Sequence, residues 1–95
     1  MDSTINLPIE KQELVKLLRR HGIVKASVFG SYARGEATEN SDLDLFVTLS
    51  PQHTYLDLGG LQLELEDKIH GGVDIVTRLN KRFAPYIEQD LYEIL

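Results

Sequence analysis

One stretch limits what this chain can fold into. Val28-Phe29-Gly30-Ser31-Tyr32-Ala33-Arg34-Gly35 is followed, after a short connector, by Ser41-Asp42-Leu43-Asp44-Leu45-Phe46-Val47. The pattern predicts a strand, a tight glycine turn, a connector and a second strand. Strand side chains alternate faces, so Asp42 and Asp44 share one face while Leu43, Leu45 and Val47 point into a core. Two carboxylates on one face repel each other and lose hydration if half buried. A divalent cation would remove that conflict. Oxygen-only ligands suit Mg²⁺, which commonly takes one or two carboxylates plus phosphate oxygens. The Gly30-Ser31 turn adds backbone N–H groups and a hydroxyl, donors that suit a phosphate.

Gly30-Ser31, ten intervening residues and then Asp42-Leu43-Asp44 resemble the signature of the polymerase beta-like nucleotidyltransferase superfamily. The fuller strings Gly30-Ser31-Tyr32-Ala33-Arg34-Gly35 and Asn40-Ser41-Asp42-Leu43-Asp44-Leu45 are similar to its minimal branch, which includes the MntA-type antitoxins paired with HEPN toxins. The resemblance covers roughly residues 8 to 95. A DxD alone is a weak signal; Gly-Ser at this distance from it makes the combination specific.

The resemblance implies a third carboxylate on a strand beside the DxD strand. Asp74, in Val73-Asp74-Ile75-Val76-Thr77, is the acid in a strand at the expected distance. Taken alone, a single Asp among β-branched residues is more often an ion-paired or hydrogen-bonded residue. Within the resemblance, Asp42 and Asp44 would hold Mg²⁺ and the triphosphate, with Asp74 completing the metal set and helping to activate the attacking hydroxyl. Gly30, Ser31 and Arg34 are the nucleotide-binding candidates. Gly30 can also be read as a turn glycine with positive φ, and Ser31 as the cap of a short helix over Tyr32-Ala33-Arg34. Arg34 has two assignments, a phosphate or an ion pair with Glu36, Glu39 or Asp42, and the ion pair is slightly favoured.

At 95 residues the chain is expected to form one domain with a single core, with residues 1–7 as a loose arm. No apolar run approaches ~18 residues, so no membrane span is predicted. The start Met1-Asp2-Ser3-Thr4 has neither a basic region nor an apolar one, and is not read as a signal peptide. With no cysteine, neither disulfides nor thiolate metal sites arise, which fits a cytosolic protein. A net charge of -5 disfavours duplex nucleic acid as a partner of the whole surface.

Pro8 suits a first helical turn. Leu14, Leu17, Leu18 and His21 then follow the spacing of an amphipathic helix, and Gly22 is a plausible stop. Ile23 to Phe29 is the first strand. A second long helix is predicted from Leu56 to His70, with Leu58, Leu61, Leu65 and Ile69 as its apolar stripe and Gly71-Gly72 ending it. Leu79 to Leu95 reads as a last helix with Phe83, Ile87, Leu91 and Ile94 on one face. Beside it Arg78, Lys81 and Arg82 form a basic cluster, either a solvated face or a receiver of phosphates or an acidic partner. His21, His53 and His70 are read as structural.

The predicted class is α+β: a small mixed sheet with helices on one side and the acidic site on the other, the nucleotidyltransferase (polymerase beta-like) fold. By resemblance, the function is transfer of AMP from ATP, with two Mg²⁺ ions, to a tyrosine of a HEPN toxin, which silences the toxin within a hetero-oligomer. Leu91, Ile94 and Leu95, with Tyr86 and Tyr92, are candidates for part of the docking surface; the same apolar residues can instead close this domain's own core, the expected fate of Leu91. Two alternatives stand beside this. One is a binding module that acts by masking its partner. The other is a small-molecule nucleotidyltransferase, which normally carries an additional helical domain that this chain has no room for.

Overall fold

The computed structural model of the protein describes residues 6–77 and 91–95. The first helix, α1, spans Lys11–Arg20. It begins later than Pro8, because Glu10 is still extended at φ -60 and ψ 136 and stands as the cap. Leu7 and Ile9, on the approach, pack against the core instead. Glu13 in the first turn and Arg19 and Arg20 in the last complement the helix dipole. Leu14, Leu17 and Leu18 are buried.

Strand β1 spans Ile23–Phe29, with Ile23, Ala26 and Val28 buried. The odd spacing from Ile23 to Ala26 has a physical cause. The pairing with β2 shifts register between Ile23 and Lys25, and Val24 is turned outward there. A four-residue helix, α2, covers Ser31–Arg34, and β2 covers Leu43–Leu49 with Leu43, Leu45 and Val47 fully buried.

Helix α3 spans Tyr55–Ile69. Thr54 caps it reciprocally with Asp57: the Thr54 hydroxyl accepts from the Leu56 N–H, and the Asp57 carboxylate accepts from the Thr54 N–H at 2.9 Å. Leu61 and Leu65 are fully buried, with Leu58 and Ile69 packed beside them. The helix ends at His70, which takes the left-handed conformation itself at φ 56, so the turn does not rely on Gly71. Strand β3 is Val73–Val76 and β4 is Tyr92–Glu93.

The sheet order is β3-β2-β1-β4. β1 runs antiparallel to both β2 and β4, while β2 and β3 are parallel and joined through α3. The sheet is mixed, as expected. Leu14, Leu18, Leu61 and Leu65 from the helices meet Val28, Leu43, Leu45 and Val47 from the sheet in one core. Each such side chain contributes about 1.5–3 kcal/mol by leaving water. Across the helix pair, Lys68 meets Glu13 at 2.8 Å, and Glu64 bridges Arg20 at 3.0 Å and His21 at 2.8 Å. These pairs are exposed or half exposed, and such contacts usually add under about 1 kcal/mol.

The chain's last residues differ from the helical expectation. Tyr92 and Glu93 pair with β1, and Ile94 donates its N–H to the Ala26 carbonyl at 2.9 Å. Ala26 in turn donates to the Leu95 carbonyl at 3.1 Å. An edge of β1 would otherwise carry unpaired backbone groups, and pairing there satisfies them. Ile94 is buried and Tyr92 and Leu95 pack against the core, while Leu91 is exposed. Of the two fates open to these residues, Ile94, Tyr92 and Leu95 take the second and close this chain's own core, whereas Leu91, expected in the core, is exposed. Phe83, Pro85, Tyr86, Ile87 and the Arg78, Lys81 and Arg82 cluster lie outside the described residues. Among the described residues no helix is long and apolar enough to cross a membrane.

Candidate active site

The parallel pairing sets Leu43 opposite Val73 and Asp44 opposite Asp74. Leu43 and Val73 are buried in the core. By alternation, Asp44 and Asp74 stand together on the other face. Asp42 lies two residues before Asp44, at the mouth of the strand. Asp42 and Asp74 are exposed and Asp44 is half buried.

The connector into this strand is held by its own side chains. The Ser41 hydroxyl accepts from the Thr38 N–H at 2.8 Å, and the Ser41 N–H donates back to the Thr38 carbonyl at 3.0 Å. Asn40 donates its N–H to the Thr38 hydroxyl at 3.3 Å. Ser41 thus shapes the turn into the strand. Thr38 is a residue that sequence reasoning missed, although Thr-x-x-Ser ahead of a strand is a recognisable turn pattern.

Phe29 at the end of β1 pairs with Asp44, so Gly30 follows directly beside the carboxylate. Gly30 adopts φ 77 and ψ -149, a backbone state that glycine alone takes readily. A Cβ there would overlap Asp44 Oδ2. Gly30 therefore combines positive φ with close approach, and what approaches is the carboxylate. Ser31 is the first helical residue and not the cap; Gly30 holds the cap position, with no side-chain hydrogen bond. Arg34 donates from Nε to Glu36 Oε1 at 3.0 Å, which is one of the expected ion pairs. Its charge also acts on Asp44.

Burial pushes the Asp44 carboxyl up to about 6, with the negative charges of Asp74 and Asp42 adding to the rise and Arg34 opposing it. Asp44 thus senses both of the other aspartates. Among the described residues, no three His, Cys, Asp or Glu side chains are gathered closely enough to hold an ion by themselves. The arrangement fits a cation bound by one or two carboxylates and completed by phosphate oxygens, the usual habit of Mg²⁺. The crowded negative charge at Asp44 is what such a cation would neutralise.

The histidines make local contacts. His21 bonds Glu64, His53 Nδ1 bonds the Ser50 hydroxyl at 2.6 Å, and His70 ends α3.

The family model described as "Polymerase beta, Nucleotidyltransferase" matches residues 12–93. The chain belongs to this nucleotidyltransferase family. Its relatives include a "Putative protein adenylyltransferase" of Methanocaldococcus jannaschii, 40% identical over 73 residues, which are 77% of this chain and 78% of that one. Another is the protein adenylyltransferase MntA of Thermococcus cleftensis, 38% identical over 63 residues, covering 66% of this chain and 64% of that protein. A solved minimal nucleotidyltransferase superposes with a TM-score of 0.74 at 41% identity, over 85% of each chain. A toxin–antitoxin structure with AMP-PNP superposes with a TM-score of 0.77 at 21% identity, over 92% of this chain and 73% of that one, and shares the fold. Membership makes this chain an enzyme of the nucleotidyltransferase class, with the mixed sheet and helices of the minimal members.

Proposed function

We propose that this chain transfers the adenylyl group of ATP to a tyrosine hydroxyl of a HEPN-type toxin in the cytosol, and so silences the toxin. The carrying observation is the shared level of Asp44 and Asp74 on the sheet face opposite the core, with Asp42 at its mouth and the Gly30 turn beside it. Support for the adenylyl group and the protein acceptor comes from relatives named protein adenylyltransferases. Support for ATP and for a toxin partner comes from the toxin–antitoxin structure with AMP-PNP.

In this mechanism Asp42 and Asp44, with Asp74 beside them, would hold Mg²⁺ ions, which would supply charge neutralisation at the α-phosphate and the leaving pyrophosphate. The acceptor oxygen attacks the α-phosphorus, its proton passes to Asp74, and the bond to the pyrophosphate oxygen breaks. Asp74 suits that role because it is exposed at the strand edge, where an acceptor can reach it. Backbone N–H groups near Gly30 and Ser31 steady the triphosphate, and Arg34 adds positive charge beside it. Most of the acceleration then comes from positioning and charge stabilisation.

The test is to express the chain with a HEPN-type partner and weigh the partner. A gain of one or more AMP units that needs ATP and Mg²⁺, and is lost in the Asp42→Asn, Asp44→Asn double variant, supports the reading. A tight complex with no mass change, equally protective with the double variant, overturns it in favour of masking.

A further inference from the structure

Each of the paired aspartates lies against a glycine from a neighbouring piece of chain. Gly30 stands beside Asp44, and Gly72 stands beside Asp42. A Cβ on Gly72 would overlap Asp42 Oδ1 and fall 3.0 Å from Asp42 Cγ. The backbone fixes this closeness, because Leu43 donates its N–H to the Gly72 carbonyl at 3.0 Å. The two backbones cannot separate without breaking the first rung between β2 and β3, so a side chain at Gly72 has to displace the Asp42 carboxylate.

The usual reasons for a glycine do not apply to Gly72. The glycines with positive φ among the described residues are Gly22, Gly30 and Gly35. Helix α3 has already ended at His70, which supplies the left-handed turn. The neighbouring Gly71 shows the contrast: a Cβ there would meet only Ile69 atoms, at 3.9 and 4.0 Å, an ordinary contact. Of the two adjacent glycines, one has room for a methyl group and the other has its space taken by a carboxylate.

We propose that Gly72 is a positioning residue for Asp42, its missing side chain being the space in which the Asp42 carboxylate is held toward a cation–triphosphate. This rests on the reading of Asp42 as a ligand to that group. Alanine at Gly72 meets no positive-φ penalty, so its effect reports chiefly the overlap with Asp42. The displacement it forces takes the Asp42 carboxylate out of the place it holds beside Gly72.

The test uses Mn²⁺ as the probe, titrated with and without ATP and read by the loss of the free-ion paramagnetic signal, alongside melting temperature. Gly72→Ala is expected to weaken Mn²⁺ binding tenfold or more, as Asp42→Ala does, while Gly71→Ala binds as the wild type. Wild-type binding by Gly72→Ala, with Asp42→Ala defective, overturns the role of Gly72 and leaves the reading of Asp42 standing. Wild-type binding by Asp42→Ala overturns both. If Gly72→Ala does not fold, the Asp42→Ala, Gly72→Ala pair decides. Recovery of the fold assigns the damage to the overlap with Asp42, and continued failure to fold overturns the proposal.

Discussion

Asp44 and Asp74 stand opposite one another at the same level of the parallel β2–β3 pair, and the Asp44 carboxyl is pushed from 3.8 to about 6. Burial is the largest cause and the Asp74 charge the next. The folded protein therefore holds this proton more tightly than the unfolded chain. Its contribution to stability is most favourable below pH 3.8 and is lost as pH rises toward about 6. The difference in melting temperature between wild type and Asp44→Asn should accordingly widen, in favour of the variant, over that range. Asp74→Asn should draw the Asp44 titration downward in carboxyl NMR. An Asp44 that titrates near the ordinary carboxylate value in both proteins would remove the basis for this face-to-face pair.

Binding of Mg²⁺ with ATP should stabilise the protein by mass action, by about 2.7 kcal/mol at a hundredfold excess over Kd. For a domain of this size that is roughly ten degrees or more in melting temperature. Protons compete for Asp44, so the shift should shrink as pH falls below about 6. A thermal shift series in Mg²⁺ and pH measures both effects, and a melting temperature indifferent to Mg²⁺ with ATP would contradict the carboxylate–cation reading.

Gly30→Ala should damage the site more than its size suggests. The backbone state at φ 77 costs a residue with a Cβ about 1–3 kcal/mol, and the added methyl group meets Asp44 Oδ2. Urea unfolding should show the loss of stability, and adenylyl transfer should fall with it. An alanine variant of unchanged stability would mean that the turn relaxes freely.

Ile94→Ala tests the end of the chain. Ile94 belongs to the core cluster, and its N–H bonds Ala26. Truncating a buried isoleucine of this kind costs about 2–5 kcal/mol. The midpoint of urea unfolding should drop accordingly, whereas a surface residue would change it by under about 0.5 kcal/mol.

Much of this architecture follows from local pattern. Ile23–Phe29 alternates clearly enough to be read as a strand, and the leucine spacing in Tyr55–Ile69 fixes a helix to within a residue at each end. The DxD spacing by itself predicts Asp42 and Asp44 on one side, and the structure sets Asp42 just ahead of the strand that carries Asp44. Less was legible where the cause is distant in sequence. The Asp44–Asp74 register depends on how α3 returns the chain to β2, and no local signal encodes it. Tyr92 and Glu93 become a strand because β1 has an open edge, a fact invisible in the spacing of Phe83, Ile87, Leu91 and Ile94. Serine favours a helix cap, one of the two readings open for Ser31, yet Gly30 occupies that position, right beside Asp44. The double glycine at Gly71-Gly72 reads as a helix stop, since nothing local reveals that Asp42 fills the space at one of them.

The strand order has a consequence for how the molecule breathes. β1 and β2 are neighbours in sequence and sit in the middle of the sheet, with β4 against β1. β3 is only four residues long, and among the described residues it is hydrogen-bonded to β2 alone. Short edge segments open at lower free energy than central ones, so amide hydrogens there exchange sooner. Peeling β3 away would carry off Asp74 while leaving Asp44 on the central strand β2 and Asp42 just ahead of it. The carboxylates proposed to grip the donor and the one proposed to take the acceptor's proton thus belong to separately melting parts of the backbone. A macromolecule that braces β3 would slow deuterium uptake at Val73 to Val76 and, by the same contact, fix how often all three acids face the substrate together.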